Sequence, residues 1–223
     1  MKNPSDIPTE RHPFEPFLPD NAKALFLGSF PPQPKRWSMD FYYPNWINDF
    51  WRICGIVFFG DKTYFETPGE KKFDKDRIIA FCREKGIAMY DTATEIRRLM
   101  DNASDKFLEV VTPTDIPALL AAIPQCRVIV TTGQKATETL CATFGCPEPP
   151  MGGTVPIRIP ASLPGNLFAP SPADSLAASA QPDRPEDRTL QFWRMPSTSR
   201  AYPSPIEKKA AAYRTLFLSA GIL

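Results

Sequence analysis

Four short apolar runs punctuate the chain, each closed by a polar or glycine-bearing turn. Ala24-Leu25-Phe26-Leu27 ends at Gly28, and Gly86-Ile87-Ala88-Met89-Tyr90 ends at Asp91. Arg127-Val128-Ile129-Val130 ends at Thr131-Thr132-Gly133, and Leu190-Gln191-Phe192-Trp193-Arg194-Met195 stops at Pro196. Continuous runs of this length predict strands buried on both faces. Helix-period patterns lie between them. Trp46, Phe50 and Cys54 recur at i, i+4, i+8, which predicts a helix capped by Asn45. Shorter helices are expected over Asp76–Lys85, Thr114–Ala122 and Gln134–Phe144. In the last pattern, Ser204-Pro205-Ile206-Glu207 reads as a capping box with proline at the first helical position. Ile206, Ala210, Tyr213 and Phe217 then form one stripe, and Gly221 ends it.

Strands alternating with helices predict an α/β domain, a three-layer α/β/α arrangement around a short, mostly parallel four-stranded sheet. Residues 1–21 are proline-rich and aperiodic and read as an extended arm over a domain spanning 22–223. Cys146 to about Glu186 is rich in proline, alanine and serine and reads as a long irregular insertion, roughly 146–186. Ligands of such sheets bind beyond the carboxyl ends of the strands. That rule selects Gly28–Pro34, Asp91–Glu95, Thr131–Gln134 and Pro196–Pro203.

Composition narrows the picture. At 223 residues with 43% hydrophobic positions, the chain has enough apolar surface for a sizeable core, so global disorder is excluded. A formal net charge of +1 gives no whole-chain field of the kind that marks many nucleic-acid or membrane binders. The 26 prolines are about twice the usual share, with no repeat, so they stiffen loops. The N-terminal residues form no secretory signal, and the densest apolar stretch, Ile53–Phe59, is too short for a bilayer. Five scattered cysteines with no C-x-x-C pair argue against a disulfide framework or a closed metal site. The expectation is a cytoplasmic monomer with no membrane contact, metal or cofactor.

The familiar chemistries find little support. His12 is the lone histidine and stands in the arm, so a Ser–His–acid triad would require it to swing over the sheet. Gly28-Ser29-Phe30-Pro31-Pro32 lacks the later Gly-Lys-Ser/Thr of a phosphate loop and the second and third glycines of a dinucleotide fingerprint.

Three segments remain: Gly28-Ser29-Phe30-Pro31 at the first strand tip, Tyr42-Tyr43 leading to Asn48-Asp49-Phe50-Trp51, and Pro196-Ser197-Thr198-Ser199 at the last strand tip. In this order and spacing the chain resembles the uracil-DNA glycosylase superfamily, and most of all its hypoxanthine-DNA glycosylase-like branch. Ile87–Asp91 and Asp105–Leu108 are similar to that branch's second strand and its sequel. The resemblance covers roughly residues 22–220 apart from the insertion. It implies hydrolysis of the N-glycosidic bond of a deaminated base, uracil or hypoxanthine, flipped out of DNA, with DNA carrying such a base as the partner. It assigns Asn48 the catalytic role, its carbonyl offered to a water and its N–H to the base. Gly28, Ser29, Phe30, Pro31 and Tyr43 would bind the base, Phe30 by stacking. Ser197, Thr198, Ser199 and Arg200 would contact phosphates. Phe30 and Met195 occupy places where strongly uracil-active members carry an acid or amide and a histidine, which leaves the base open.

Such chemistry suits these residue types. Breaking the bond leaves an oxocarbenium-like sugar and an anionic base, which a flat clamp and fixed N–H donors stabilise. Arg194, Arg200, Lys208, Lys209 and Arg214 against Glu207 form a local basic excess beside the last loop, a phosphate footprint with Lys208 in it. Asp49 and Asp91 are the acids near the strand ends. Two other classes stay open: a non-catalytic nucleic-acid-binding relative, and a small-molecule hydrolase using Ser29 or Ser197.

Overall fold

The computed structural model describes residues 7–100, 107–160 and 187–223. Its core is a five-stranded sheet, with a smaller antiparallel sheet of three strands beside it. In chain order the elements are β1 (Thr9–Arg11), β2 (Ala24–Gly28), α1 (Phe50–Phe59), α2 (Lys75–Lys85), β3 (Ile87–Asp91), β4 (Ala93–Arg98) and β5 (Leu108–Pro113). α3 (Ile116–Ala122), β6 (Val128–Thr132), α4 (Gln134–Phe144), β7 (Thr154–Ile159), β8 (Arg188–Met195) and α5 (Ile206–Ser219) follow.

The large sheet has the order β3-β2-β6-β8-β7. The four apolar runs are its four parallel strands, and every residue of β2, β3 and β6 is buried. The expectation of four strands is corrected by β7, which pairs antiparallel with β8 along the edge. It arises inside the proline-rich insertion, where Pro156 masks a strand pattern whose buried positions are Ile157 and Ile159. An edge strand tolerates a missing N–H, so proline there does not break the pairing. The rest of that insertion, 161–186, lies outside the described residues, as do residues 1–6 of the arm and Asp105-Lys106.

Chain direction fixes the layers. β2 to β3 steps one way across the sheet, whereas β3 to β6 and β6 to β8 step the other. Right-handed crossovers therefore put α1 and α2 on one face and α3 and α4 on the opposite one. Phe26 of β2 packs on Phe50 of α1 and Phe217 of α5, so α5 shares the α1 layer.

The second sheet has the order β1-β4-β5. β3 runs on through Thr92 into β4, so the chain leaves one sheet and enters the other without a loop. The arm closes both. Thr9–Arg11 pair with Glu95–Arg97, and Phe17 exchanges two backbone hydrogen bonds with Met89 at the outer edge of β3, at 3.0 and 2.9 Å.

Two helix starts differ from the sequence pattern. α1 begins at Phe50, not after Asn45, because Asn45 Oδ1 accepts from Ile47 N and Asn45 O accepts from Asn48 N, which closes a tight turn. Ser204 does not cap α5; the cap position is Pro205, at ψ 145°, and no side chain serves it. α2 and α3 are capped by Asp74 and Asp115, which accept from Arg77 N and Ala118 N.

Candidate active site at the strand ends

The carboxyl ends of the parallel strands open into a cleft of about 990 Å³. Register builds its floor. Gly28 pairs with Asp91, Leu27 with Thr131, and Thr132 with Met195, so Asp91, Gly28, Thr132 and Met195 form one row across four strands. Gly28 is required there: a Cβ on it would sit 2.4 Å from Asp91 Oδ1.

Tyr43 stands over this row. Its ring stacks on Phe50 with centroids 4.0 Å apart and planes at 9°, and its hydroxyl lies 2.7 Å from Thr132 Oγ1. Burial pushes the phenol above its ordinary range, so it remains a neutral hydroxyl. Tyr43 adopts φ 52°, the left-handed region that a bulky residue enters only under constraint. The stack on Phe50 and the bond to Thr132 supply that constraint.

Asn48 lies on the opposite wall, in the turn before α1. Its Oδ1 accepts from Phe50 N at 2.9 Å, which orients the amide and engages one carbonyl lone pair. Backbone bonding ties this turn to the last loop: Asn48 bridges Ser199, and Asp49 N donates to Thr198 O at 2.9 Å. Arg52 holds the turn from below. It donates to Trp46 O and Asn48 O, pairs with Glu66 at 2.6 Å, and lies 4.3 Å from the Trp46 ring. Desolvation lowers the guanidinium's pKa, opposed mainly by Glu66.

Each sequence-selected residue has a definite place. Gly28, Ser29, Phe30, Pro31, Tyr43, Asn48, Ser197, Thr198 and Ser199 all line the cleft. Phe30 is 9% exposed and packs into a small cluster with Ala93, Ile96 and Leu108 between the sheets, which leaves little of its face for a base. Thr198 is buried, while Ser197 and Ser199 are half-buried.

The basic patch is less open than its sequence suggests. Lys209 is buried and donates to Ser199 O at 2.9 Å, so it supports the last loop from inside, and desolvation lowers its pKa. Arg194 pairs with Glu148, and Arg200 with Asp49 at 2.9 Å. Lys208 and Arg214 are exposed.

Sequence reasoning missed four contributors. Asp91 and Thr132 line the cleft from strand ends, a position the α/β rule selects. Arg98 reaches the cleft from β4, where it grips Glu10 through two bonds of 3.1 Å and donates to Pro31 O. His12, expected to stay out in the arm, lies buried with Nε2 donating to Asp91 Oδ2 at 2.9 Å. No local signal marks Arg98 or His12, because both are brought in by pairing with the second sheet. Among the described residues, no group of three or more His, Cys, Asp or Glu is placed to hold a metal ion. None of the helices is long and apolar enough to cross a membrane among those residues.

No family model and no curated protein matches the chain. Its fold is similar to the solution NMR structure of a "putative Uracil DNA glycosylase" from Methanosarcina acetivorans. The TM-score is 0.56 at 18% identity, over 96% of this chain and 99% of the other. That likeness extends to the fold.

Proposed function

We propose that the protein is a monofunctional DNA glycosylase that hydrolyses the N-glycosidic bond of a deaminated base, uracil or hypoxanthine, flipped from a duplex. The observation that carries this reading is the convergence of Gly28–Pro31, Tyr42–Asn48 and Ser197–Ser199 on one cleft. The cleft lies in the size range of about 300–1,000 Å³ usual for small-ligand sites.

In this reading the base enters beside Tyr43, above the row of Asp91, Gly28 and Thr132. Water adds to the sugar C1′, the C1′–N bond breaks, and the bonding pair leaves with the base, which then takes a proton. With Oδ1 of Asn48 on Phe50 N, its Nδ2 is the atom best able to donate to the departing base. The backbone N–H groups of the Gly28–Pro31 segment are candidates for the same task. A neutral amide is a weak general base, so rate would come from leaving-group stabilisation and orientation. Ser197 and Ser199 would hold phosphates flanking the flipped nucleotide, positioning it without reading sequence.

The engaged carbonyl of Asn48 also favours a second reading, a nucleic-acid-binding relative without turnover. A panel of duplexes carrying uracil, hypoxanthine or xanthine, scored for abasic-site formation and for affinity, separates the two. Base release that Asn48→Ala abolishes supports the glycosylase. Tight duplex binding with no release from any lesion supports the second reading, and neither binding nor release ends both.

A further inference from the structure

The site described so far is built from the domain's own strand ends and loops, yet one of its walls is fixed by the N-terminal arm. The Asp91 side chain is only 10% exposed, and it lines the cleft. A carboxylate in that position must be partnered on the protein side. His12 supplies the partner: its Nε2 donates to Asp91 Oδ2 at 2.9 Å from a side chain that is 2% exposed. Because a carboxylate only accepts, Nε2 carries a proton whatever the state of Nδ1. The Nδ1 side is also committed, facing the backbone of Phe14, whose N and O lie 3.2 and 2.9 Å away. Phe30 meets the imidazole edge-on at 5.2 Å, and the Tyr90 ring lies 4.6 Å away. The arm around His12 is itself secured, with His12 N donating to Thr94 O at 2.8 Å.

Asp91 is clamped equally well. Thr114 Oγ1 donates to its carbonyl at 2.7 Å, and Thr92 N donates to Gly28 O at 2.9 Å. With Oδ2 held by His12, Oδ1 lies against the Cα of Gly28 at the cleft floor, near the Tyr43 hydroxyl. What the floor presents is therefore an oriented acceptor that carries no proton of its own.

We infer that Asp91 reads an N–H on the ring edge of the bound base, and that His12 is the positioning residue that keeps Oδ1 turned toward it. This rests on the glycosylase reading above. Uracil and hypoxanthine both carry such a ring N–H, at N3 and N1. Their N-methyl counterparts do not, and would leave a buried acceptor unpaired.

The test compares single-turnover release of whichever of the two bases is cut faster with release of its ring-N-methyl counterpart. In the parent, the unmethylated base is expected to leave ~10-fold faster or more, the ratio set by one unpaired buried acceptor. In Asp91→Ala the ratio collapses toward one, because no acceptor remains to be orphaned. His12→Ala reduces the ratio several-fold, and His12→Gln, whose amide can donate to Oδ2, restores it. A ratio that persists in Asp91→Ala means that the methyl group is excluded by shape, which overturns the inference. So does a ratio indifferent to His12→Ala, or a His12→Gln no better than alanine. Release of no base at all from the parent ends the glycosylase reading itself, and this inference with it. Nitrogen NMR of the His12 ring in the free parent protein gives an independent check. Nε2 must be protonated there, and an unprotonated Nε2 removes the proposed contact without recourse to variants that fold poorly.

Discussion

Asn48 and Ser199 face each other as an isolated antiparallel bridge, and the adjacent Asp49 N donates to Thr198 O. The turn before the first helix and the loop after the last strand are thus one unit, joined by backbone bonds. Lys209 and Arg52 brace it from two sides through Ser199 O and Asn48 O. Moving either segment moves the other, which links the proposed base-binding wall to the proposed phosphate contacts.

Asn48→Ala is expected to lower single-turnover base release by ~10²-fold, the scale of losing one positioned transition-state donor. It also removes the acceptor for Phe50 N, which costs about 1 kcal/mol, a fall of about 2–4 °C in Tm for a chain of this size. Asn48→Asp keeps that acceptor at a helix N-terminus but lacks the donor. Its Tm should match the parent while its release rate falls with the alanine variant. Parental release by Asn48→Asp would show that the carbonyl side, not Nδ2, does the chemistry.

Gly28→Ala places a methyl 2.4 Å from Asp91 Oδ1, inside contact distance of a carboxylate that His12 prevents from yielding. A loss of about 1–3 kcal/mol follows, as for other overpacked sites. The penalty should shrink in an Asp91→Ala background, because the clash partner is gone. Denaturant unfolding of the four proteins in this cycle measures it, and a penalty of equal size in both backgrounds would locate the strain elsewhere.

Duplex affinity should depend unequally on the two outer cations. Lys208 is exposed, whereas Arg200 is already neutralised by Asp49 at 2.9 Å. Lys208→Ala is expected to reduce the slope of log affinity against log salt by about 1, and Arg200→Ala by less. Fluorescence anisotropy across a salt series reads both slopes. Equal or reversed effects would mean that the Arg200–Asp49 pair opens on DNA.

Alkaline stability follows from the buried phenols. Burial raises the pKa of Tyr42, Tyr43 and Tyr213 above the ordinary value of about 10. Below that value both states keep these protons and nothing changes. Above it the unfolded chain ionises first and binds fewer protons, so stability falls as pH rises. The buried thiols of Cys54 and Cys82 act in the same direction, while Lys209, whose pKa burial lowers, opposes them as a single group. Urea unfolding from pH 8 to 11 should show a falling midpoint, with the phenolate absorbance of the three tyrosines appearing only as the chain unfolds. A flat or rising midpoint would contradict their burial.

Much of this molecule is written locally. The four parallel strands, the exact span of α4 and the glycine stops of α2 and α4 follow from apolar runs and turn residues, because the forces that set them act within a few positions. The three segments at the cleft were legible for the same reason, since strand ends in a parallel sheet are where ligands bind. What the tertiary structure alone decided is everything that depends on pairing between distant segments. β7 hid behind a proline that only an edge position tolerates. The start of α1 was displaced because Asp49 N bonds to Thr198 O. Lys209, one more cation in the sequence, became an internal brace when α5 packed beneath the last loop. His12 reached Asp91 because the arm adds a strand to β4, a choice made by backbone hydrogen bonds that leave no periodic trace in the sequence.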